Sequence, residues 1–488
     1  MKACSFLLAF GILPLHAQIA DDAHWFYDYD GPSPEPFVMT RAGDYLYTGG
    51  LFLNTTGVSV GKNLVRFNLN TEAWEAIPGI GSPLNGSVRS IYANGGWIYI
   101  GGNFSTPAGT SANRVARFNP GSGVWEPLYD DSISLSSGDE YGPSNGEVRA
   151  ITRAGDYIYV GGSFTNASWP LNERIIRRYR ISTQEWLSVG EGLAISSAGY
   201  AQQVLAMTTL PDGSVLAGGA FTDGLARWNG SSWSAYGGGI GGLGVVRTMA
   251  VHPDGRIFIG GSFDQAGSGG GMISAAFVAA YDPSSGTWDN LAGGFDDLYE
   301  QSNGTTFTAD GVYDIAIASD GKVFVAGDFQ ADPARTNTNL DHVAMWDDSG
   351  SWKALGSGLG NTGSQIVNCL EIGPMGDLYA GGTFSEGWRN ASSANTQIAR
   401  WDPNLDFADY VPGAAQNRTM EVVDQGGGTF QVSLETRSGT DYTLESAADL
   451  GFSPATPEST FTGNGSRMNR TVSGGGDRRF YRFRATDF

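Results

Sequence analysis

Cysteine is nearly missing: the 488 residues contain two, Cys4 and Cys369. Cys4 falls in an N-terminal segment read below as removable. That leaves Cys369 alone, excludes an intramolecular disulfide and hands the fold to packing. Cys369 lies in the apolar run IVNCLEI and reads as a buried, inert thiol. Histidine is also scarce, four in all, and none has an i,i+4 partner or a Cys neighbour. Zinc is therefore not expected, and no other metal or cofactor is expected either. Basic residues are few, Lys+Arg 29 against Asp+Glu 50, for a net charge of −21. Such a surface disfavours nucleic acid and anionic membranes. Past the N-terminus no stretch approaches the ~20 apolar residues of a membrane helix.

Glycine is what the chain has in excess: 72 residues, with 13 Trp, 20 Tyr and 25 Phe. Glycine has no Gly-X-Y period, so collagen is excluded. That combination points to many short strands and tight turns. Residues 1–17, MKACSFLLAFGILPLHA, read as a secretory signal. Lys2 supplies the positive start, Ser5 to Leu15 an apolar run too short to span a bilayer, and Ala17 the cleavage position.

Internal repeats dominate the rest. YLYTGGLF (45–52), WIYIGGNF (97–104), YIYVGGSF (157–164), SVLAGGAF (214–221), RIFIGGSF (256–263), KVFVAGDF (322–329) and DLYAGGTF (377–384) are seven copies of one phrase. Downstream of each comes a second phrase, such as LVRFN (64–68), RVARFN (114–119) or VAAYD (278–282). Six of these lead to a Trp: Trp74, Trp125, Trp186, Trp233, Trp288 and Trp352. Upstream lies a fourth run, such as VRSIYA (88–93), VRAIT (148–152), VRTMAV (246–251) or VNCLEI (367–372). Each unit is four short strands that cannot bury both faces alone, whereas seven units around an axis can. The Gly pair is read as a place where neighbouring backbone and rings approach closely. Phosphate binding is the other use of such a pair, but no helix pattern follows. The seventh unit lacks its last Trp strand. AHWFYDYDG (23–31), ahead of the first inner strand near Pro36–Thr40, supplies the missing strand and closes the ring.

These phrases resemble a kelch-type repeat, best matched by VAAYDPSSGTW (278–288), over about residues 23–404. VRTMAVHPDGRIFIGGSF (246–263) is similar to the bacterial delta-60 repeat. The resemblance to the kelch and galactose-oxidase-like superfamily implies an all-β, seven-bladed β-propeller of four-stranded blades, secreted or at the cell surface. It does not bring the oxidase chemistry. That chemistry needs copper held by His and Tyr with a Cys-linked Tyr, and the mature chain offers only His24, His252, His342 and an inner-strand Cys369. Residues 412–488 lose the repeat. DYTLESAADL (441–450) and RRFYRFRA (478–485) look like a small all-β module at the C-termini of exported bacterial proteins. The organisation is thus 1–17 signal, 18–404 propeller, 405–411 linker and 412–488 small β-sandwich-like module. The last serves either in surface attachment or export, or as a plain cap.

Connections from strand one to two and from three to four are short in every unit, such as AGD, PDG and SSG. The others are long, as at 129–147, 293–311 and 330–342, and emerge on the opposite face, where binding is expected. Arg89, Arg149 and Arg247 occupy one equivalent position at the start of the inner strand, matched by Leu205, Tyr313 and Asn368. Converging guanidiniums clamp a carboxylate or sulfate bidentately, and the plainer alternative is inter-blade pairing with Asp or Glu. The candidate ligand residues are Arg89, Arg149, Arg247, Tyr313 and Asn368. Acidic pairs Asp130/Asp131, Asp139/Glu140 and Asp296/Asp297 offer hard donors for Ca²⁺, but in no Ca²⁺-loop spacing, and read as solvated charge. Loop rings Tyr129, Tyr141, Trp169, Tyr200, Tyr299 and Trp388 could stack on sugars or pack the loops. The expected function is non-catalytic: a monomeric, exported propeller binding a protein or polysaccharide, with no nucleic acid and no membrane span. The alternatives are a secreted polysaccharide hydrolase or lyase and a structural surface protein.

Overall fold

The computed structural model describes the strands and short turns between residues 25 and 401 and the strand backbones of 421–486. Segments 1–24, 27–32, 55–61, 129–144, 166–174, 194–201, 297–310, 385–397 and 402–420, with some shorter loop stretches, lie outside the described residues. Seven four-stranded antiparallel sheets follow one another along the chain. We number them as blades 1 to 7: 33–75, 88–127, 145–187, 203–235, 245–289, 312–354, and 366–401 with Trp25–Phe26. The fold is the seven-bladed β-propeller that the repeats predict. Closure is also as predicted. Trp25–Phe26 forms the outer strand of blade 7, with Trp25 opposite Trp401. Strands within 421–486 form two three-stranded sheets.

The repeat phrases map onto specific packing. The aromatic of strand three stands directly opposite the Trp of strand four, as in Phe67 and Trp74 or Trp346 and Trp352. This holds whether the chain spacing is five, six or seven residues, because only the turn between the two strands changes length. Such rings lie 4.6 Å apart in Phe118/Trp125 and 5.6 Å in Trp228/Trp233. The indole then reaches the preceding blade. Nε1–H of Trp125, Trp186, Trp233, Trp288 and Trp352 donates to the carbonyls of Pro78, Leu128, Val189, Gly237 and Leu291. These five Trp rings are buried or half-buried and satisfy their polar tips between blades, whereas the Nε1 of Trp74 in blade 1 is buried without a hydrogen bond.

The Gly pair has two separate jobs. In blades 1 to 5 a Cβ on the first Gly would strike the Val that opens the next blade's inner strand, at 2.4 Å for Gly101 against Val148. A Cβ on the second Gly would fall 1.9 Å from a backbone oxygen of its own inner strand, as for Gly102 against the Ser87 carbonyl. That backbone presses in because each inner strand bulges there: the pairing skips one residue between Val88 and Ser90, and likewise in every other blade. Blade 6 carries Ala326 in place of the first Gly.

Cys369 is buried, its Sγ 3.6 Å from the Gly381 carbonyl, and burial pushes its thiol well above the usual range. His252, in the turn between the first two strands of blade 5, is buried and contacts the Gly321 carbonyl at 2.9 Å, tying the turns of blades 5 and 6. His342 is buried, and desolvation lowers its pKa to about 4.

Candidate functional site

The residue skipped by the bulge is Phe37 in blade 1, Arg89 in blade 2, Arg149 in blade 3 and Leu205 in blade 4. It is Arg247, Tyr313 and Asn368 in blades 5 to 7. The sequence alignment of Arg89, Arg149, Leu205, Arg247, Tyr313 and Asn368 is therefore a true structural equivalence. Phe37, the seventh member, was not picked out. Pro36 stands where other blades have Val, which hides the phrase, although the Val38-Met39 that follows could have placed it. A bulge leaves its residue outside the ladder and re-aims the side chain. Repeated seven times near the start of the innermost strand, it builds a ring at the long-loop mouth of the central channel.

The ring is interlinked. Arg89 Nε donates to Glu147 Oε1 at 2.7 Å, and Arg149 Nη2 to Glu147 Oε2 at 2.6 Å. One carboxylate thus serves two guanidiniums, one from each of two blades. Arg89 also lies over the Phe37 ring, 3.5 Å from its centroid. Arg247 stacks over Tyr313 at 5.1 Å and donates Nε–H to Ser262 Oγ at 3.1 Å. The Tyr313 hydroxyl donates to Asp328 at 3.0 Å, and the Asn368 amide donates to the Pro36 carbonyl across the closure at 3.1 Å. Tyr313 and Asn368 are thus engaged in holding the ring.

Of the three ring arginines only Arg89 makes the expected inter-blade pairing with an acid among the described residues, with Glu147. That pairing does not neutralise the cluster. Arg247 has no carboxylate partner among the described residues, and Arg149 Nε is buried without a hydrogen bond. Burial lowers the Arg149 pKa; Glu147 raises it, while the charges of Arg89 and Arg247 lower it again. The charge of Arg247 acts on Arg149 although the two stand two blades apart. Glu147 was missed in the sequence because nothing marks one Glu as the shared counter-ion.

The long-loop aromatics Tyr129, Tyr141, Trp169, Tyr200, Tyr299 and Trp388 lie outside the described residues, as do Asp130, Asp131, Asp139, Glu140 and Asp297. Asp296 is described, and its backbone bridges Ala331. Among the described residues no group of three or more His, Cys, Asp or Glu is placed to hold a metal ion. No described helix is long and apolar enough to cross a membrane.

Residues 96–124 match the family described as a domain of unknown function (DUF5122) beta-propeller. No curated protein matches the chain. Among solved structures, the chain is similar to the extracellular domain of a hybrid two component system from B. thetaiotaomicron, at 14% identity and a TM-score of 0.44. That match covers 90% of this chain and 47% of the other, so the chain spans about half the length of that relative. It is similar to YCF48 bound to D1 peptide, at 14% identity and a TM-score of 0.45, covering 78% and 96%. It is also similar to the GH74 enzyme of Niastella koreensis, at 12% identity and a TM-score of 0.46, covering 84% and 59%.

Proposed function

We propose that the chain is an exported, kelch-like propeller that binds an anionic protein or polysaccharide, without turnover, at the long-loop mouth of its channel. Arg89, Arg149 and Arg247 supply the charge, and Tyr313 and Asn368 hold the rim. The signal at 1–17 and the module at 412–488 belong to this reading as export and attachment segments. The observation that carries it is an imbalance: of the three guanidiniums of the ring, Arg89 and Arg149 share one carboxylate and Arg247 pairs with none among the described residues, in a chain of net charge −21. A carboxylate or sulfate entering the mouth would relieve that imbalance and take charge-assisted hydrogen bonds from Arg149 and Arg247.

The test incubates the mature chain with polyuronate, sulfated and neutral polysaccharides, following retention and new reducing or unsaturated ends together. Retention of the acidic polymers alone, weakened by added salt and lost in Arg149→Ala or Arg247→Ala, is the expected result. Turnover would replace the non-catalytic reading with a hydrolase or lyase. Absence of both signals would leave a structural surface role and sink the polysaccharide arm; an acidic peptide panel decides the protein arm in the same way.

A further inference from the structure

A second recess opens in the channel near the short-loop end. It is a cavity of about 570 Å³ walled by the inner strands of blades 6, 7 and 1. Val38, Met39, Ile315, Ile317, Leu370 and Ile372 supply its apolar surface, and Asp314, Glu371, Arg41 and Ser319 its polar groups. The recess begins beside the bulge ring, where Val38 and Asp314 follow Phe37 and Tyr313, and extends to Arg41, four residues and roughly 13 Å beyond Phe37 on one strand. Its volume is that of a small-molecule site.

The charges in this recess are unbalanced in the opposite sense to the mouth. Asp314 Oδ1 accepts from Thr248 Oγ1 of blade 5 and from its neighbour's amide at Ile315, and Oδ2 accepts from the Leu370 amide of blade 7. Glu371 accepts the amides of Ile372 and, from blade 1, Arg41. These are neutral donors. A carboxylate accepts about four hydrogen bonds, so lone pairs remain on both. The one cation in the lining is spent elsewhere: Arg41 Nε donates to the Ile372 carbonyl at 3.1 Å. Neither carboxylate is in an ion pair among the described residues. Burial pushes Asp314 up to about 6, and burial together with the charge of Asp314 pushes Glu371 up to about 7. Cys369, also close to Asp314, is a neutral thiol there.

We infer that this recess is a binding site for a small organic cation, an ammonium group carried on a compact apolar body. The ammonium meets the free lone pairs of Asp314 and Glu371 and displaces protons from them where the pH leaves them protonated. The apolar body lies against Ile315, Ile317, Leu370 and Ile372. A hard divalent cation fits less well, because it takes about six to eight oxygen ligands and apolar side chains make up much of the wall.

The test uses cyclohexylammonium, with cyclohexanol and Ca²⁺ as comparisons, on the full mature chain in calorimetry. Expected are saturable binding at pH 8, proton release near pH 6.5 read from the buffer dependence of the heat, and about tenfold or greater weakening at pH 4.5. Asp314→Asn or Glu371→Gln should each weaken binding about tenfold, as the loss of one charged hydrogen bond implies. Equal binding of cyclohexanol, a pH-independent affinity, Ca²⁺ binding in place of the amine, or no saturable heat at pH 8 would each overturn the assignment. The pH and proton-release readouts need only the wild-type chain, so a misfolded variant does not remove the test.

Discussion

Trp25 stands in register opposite Trp401, although nearly the whole propeller separates them in sequence. It completes in blade 7 the aromatic-to-aromatic pairing that Phe118 and Trp125 make in blade 2. The two ends of the ring are thereby held by one short antiparallel pair, which covers the Ile398–Trp401 strand and leaves blade 7 only a two-residue edge strand. Deleting the chain through residue 31 should lower Tm by at least about 5 °C and promote self-association. Each kcal/mol lost moves Tm by about 2–4 °C in large domains, and the bared strand would be free to pair with another chain. Thermal unfolding and sedimentation check both outcomes.

The second Gly of each pair is fixed by contact, not by composition. Gly102→Ala places a Cβ against the Ser87 carbonyl and must displace the bulge. A loss of about 2–4 kcal/mol is expected in denaturant unfolding, within the range for overpacking or backbone strain. Gly270→Ala meets nothing within 4 Å and should stay within about 0.5 kcal/mol of wild type.

Glu147 restrains two arginines at once, so its removal separates stability from binding. Glu147→Gln should destabilise the fold by about 1–3 kcal/mol, because Arg89 and Arg149 lose their charged acceptor. On the proposed reading the same variant should bind polyuronate more tightly, by about threefold or more, with steeper salt dependence. Tighter binding with lower Tm is the diagnostic pair; weaker binding would count against the arginine mouth.

Asp314 and Glu371 make the ring respond to pH. Both folded pKa values, about 6 and about 7, lie above the ordinary 3.8 and 4.5. The folded chain therefore holds these protons more tightly than the unfolded chain. Their contribution favours folding at low pH and is lost as pH rises from about 4 to about 7.5. Unfolding free energy should fall by a few kcal/mol over that window, on the order of 1.4 kcal/mol per shifted unit and group. The double variant Asp314→Asn with Glu371→Gln should flatten the slope, measured by urea unfolding at pH 5 and pH 8.

The architecture was legible because it is written in short-range terms. A phrase of strand, Gly pair and Phe, repeated seven times, specifies seven like sheets, and the missing last Trp with a stray one at Trp25 specifies the closure. The equivalence of Arg89, Arg149 and Arg247 was legible for the same reason. The tertiary structure decided everything that depends on which blades face each other. It gave the bulge that turns those positions into a ring, the sharing of Glu147, the burial of His252 against a neighbouring turn, and the meeting of Asp314 with Glu371. Local sequence fixes strands and turns through backbone geometry. Charge balance in a channel is set by distances between side chains from different blades, and no single repeat contains those.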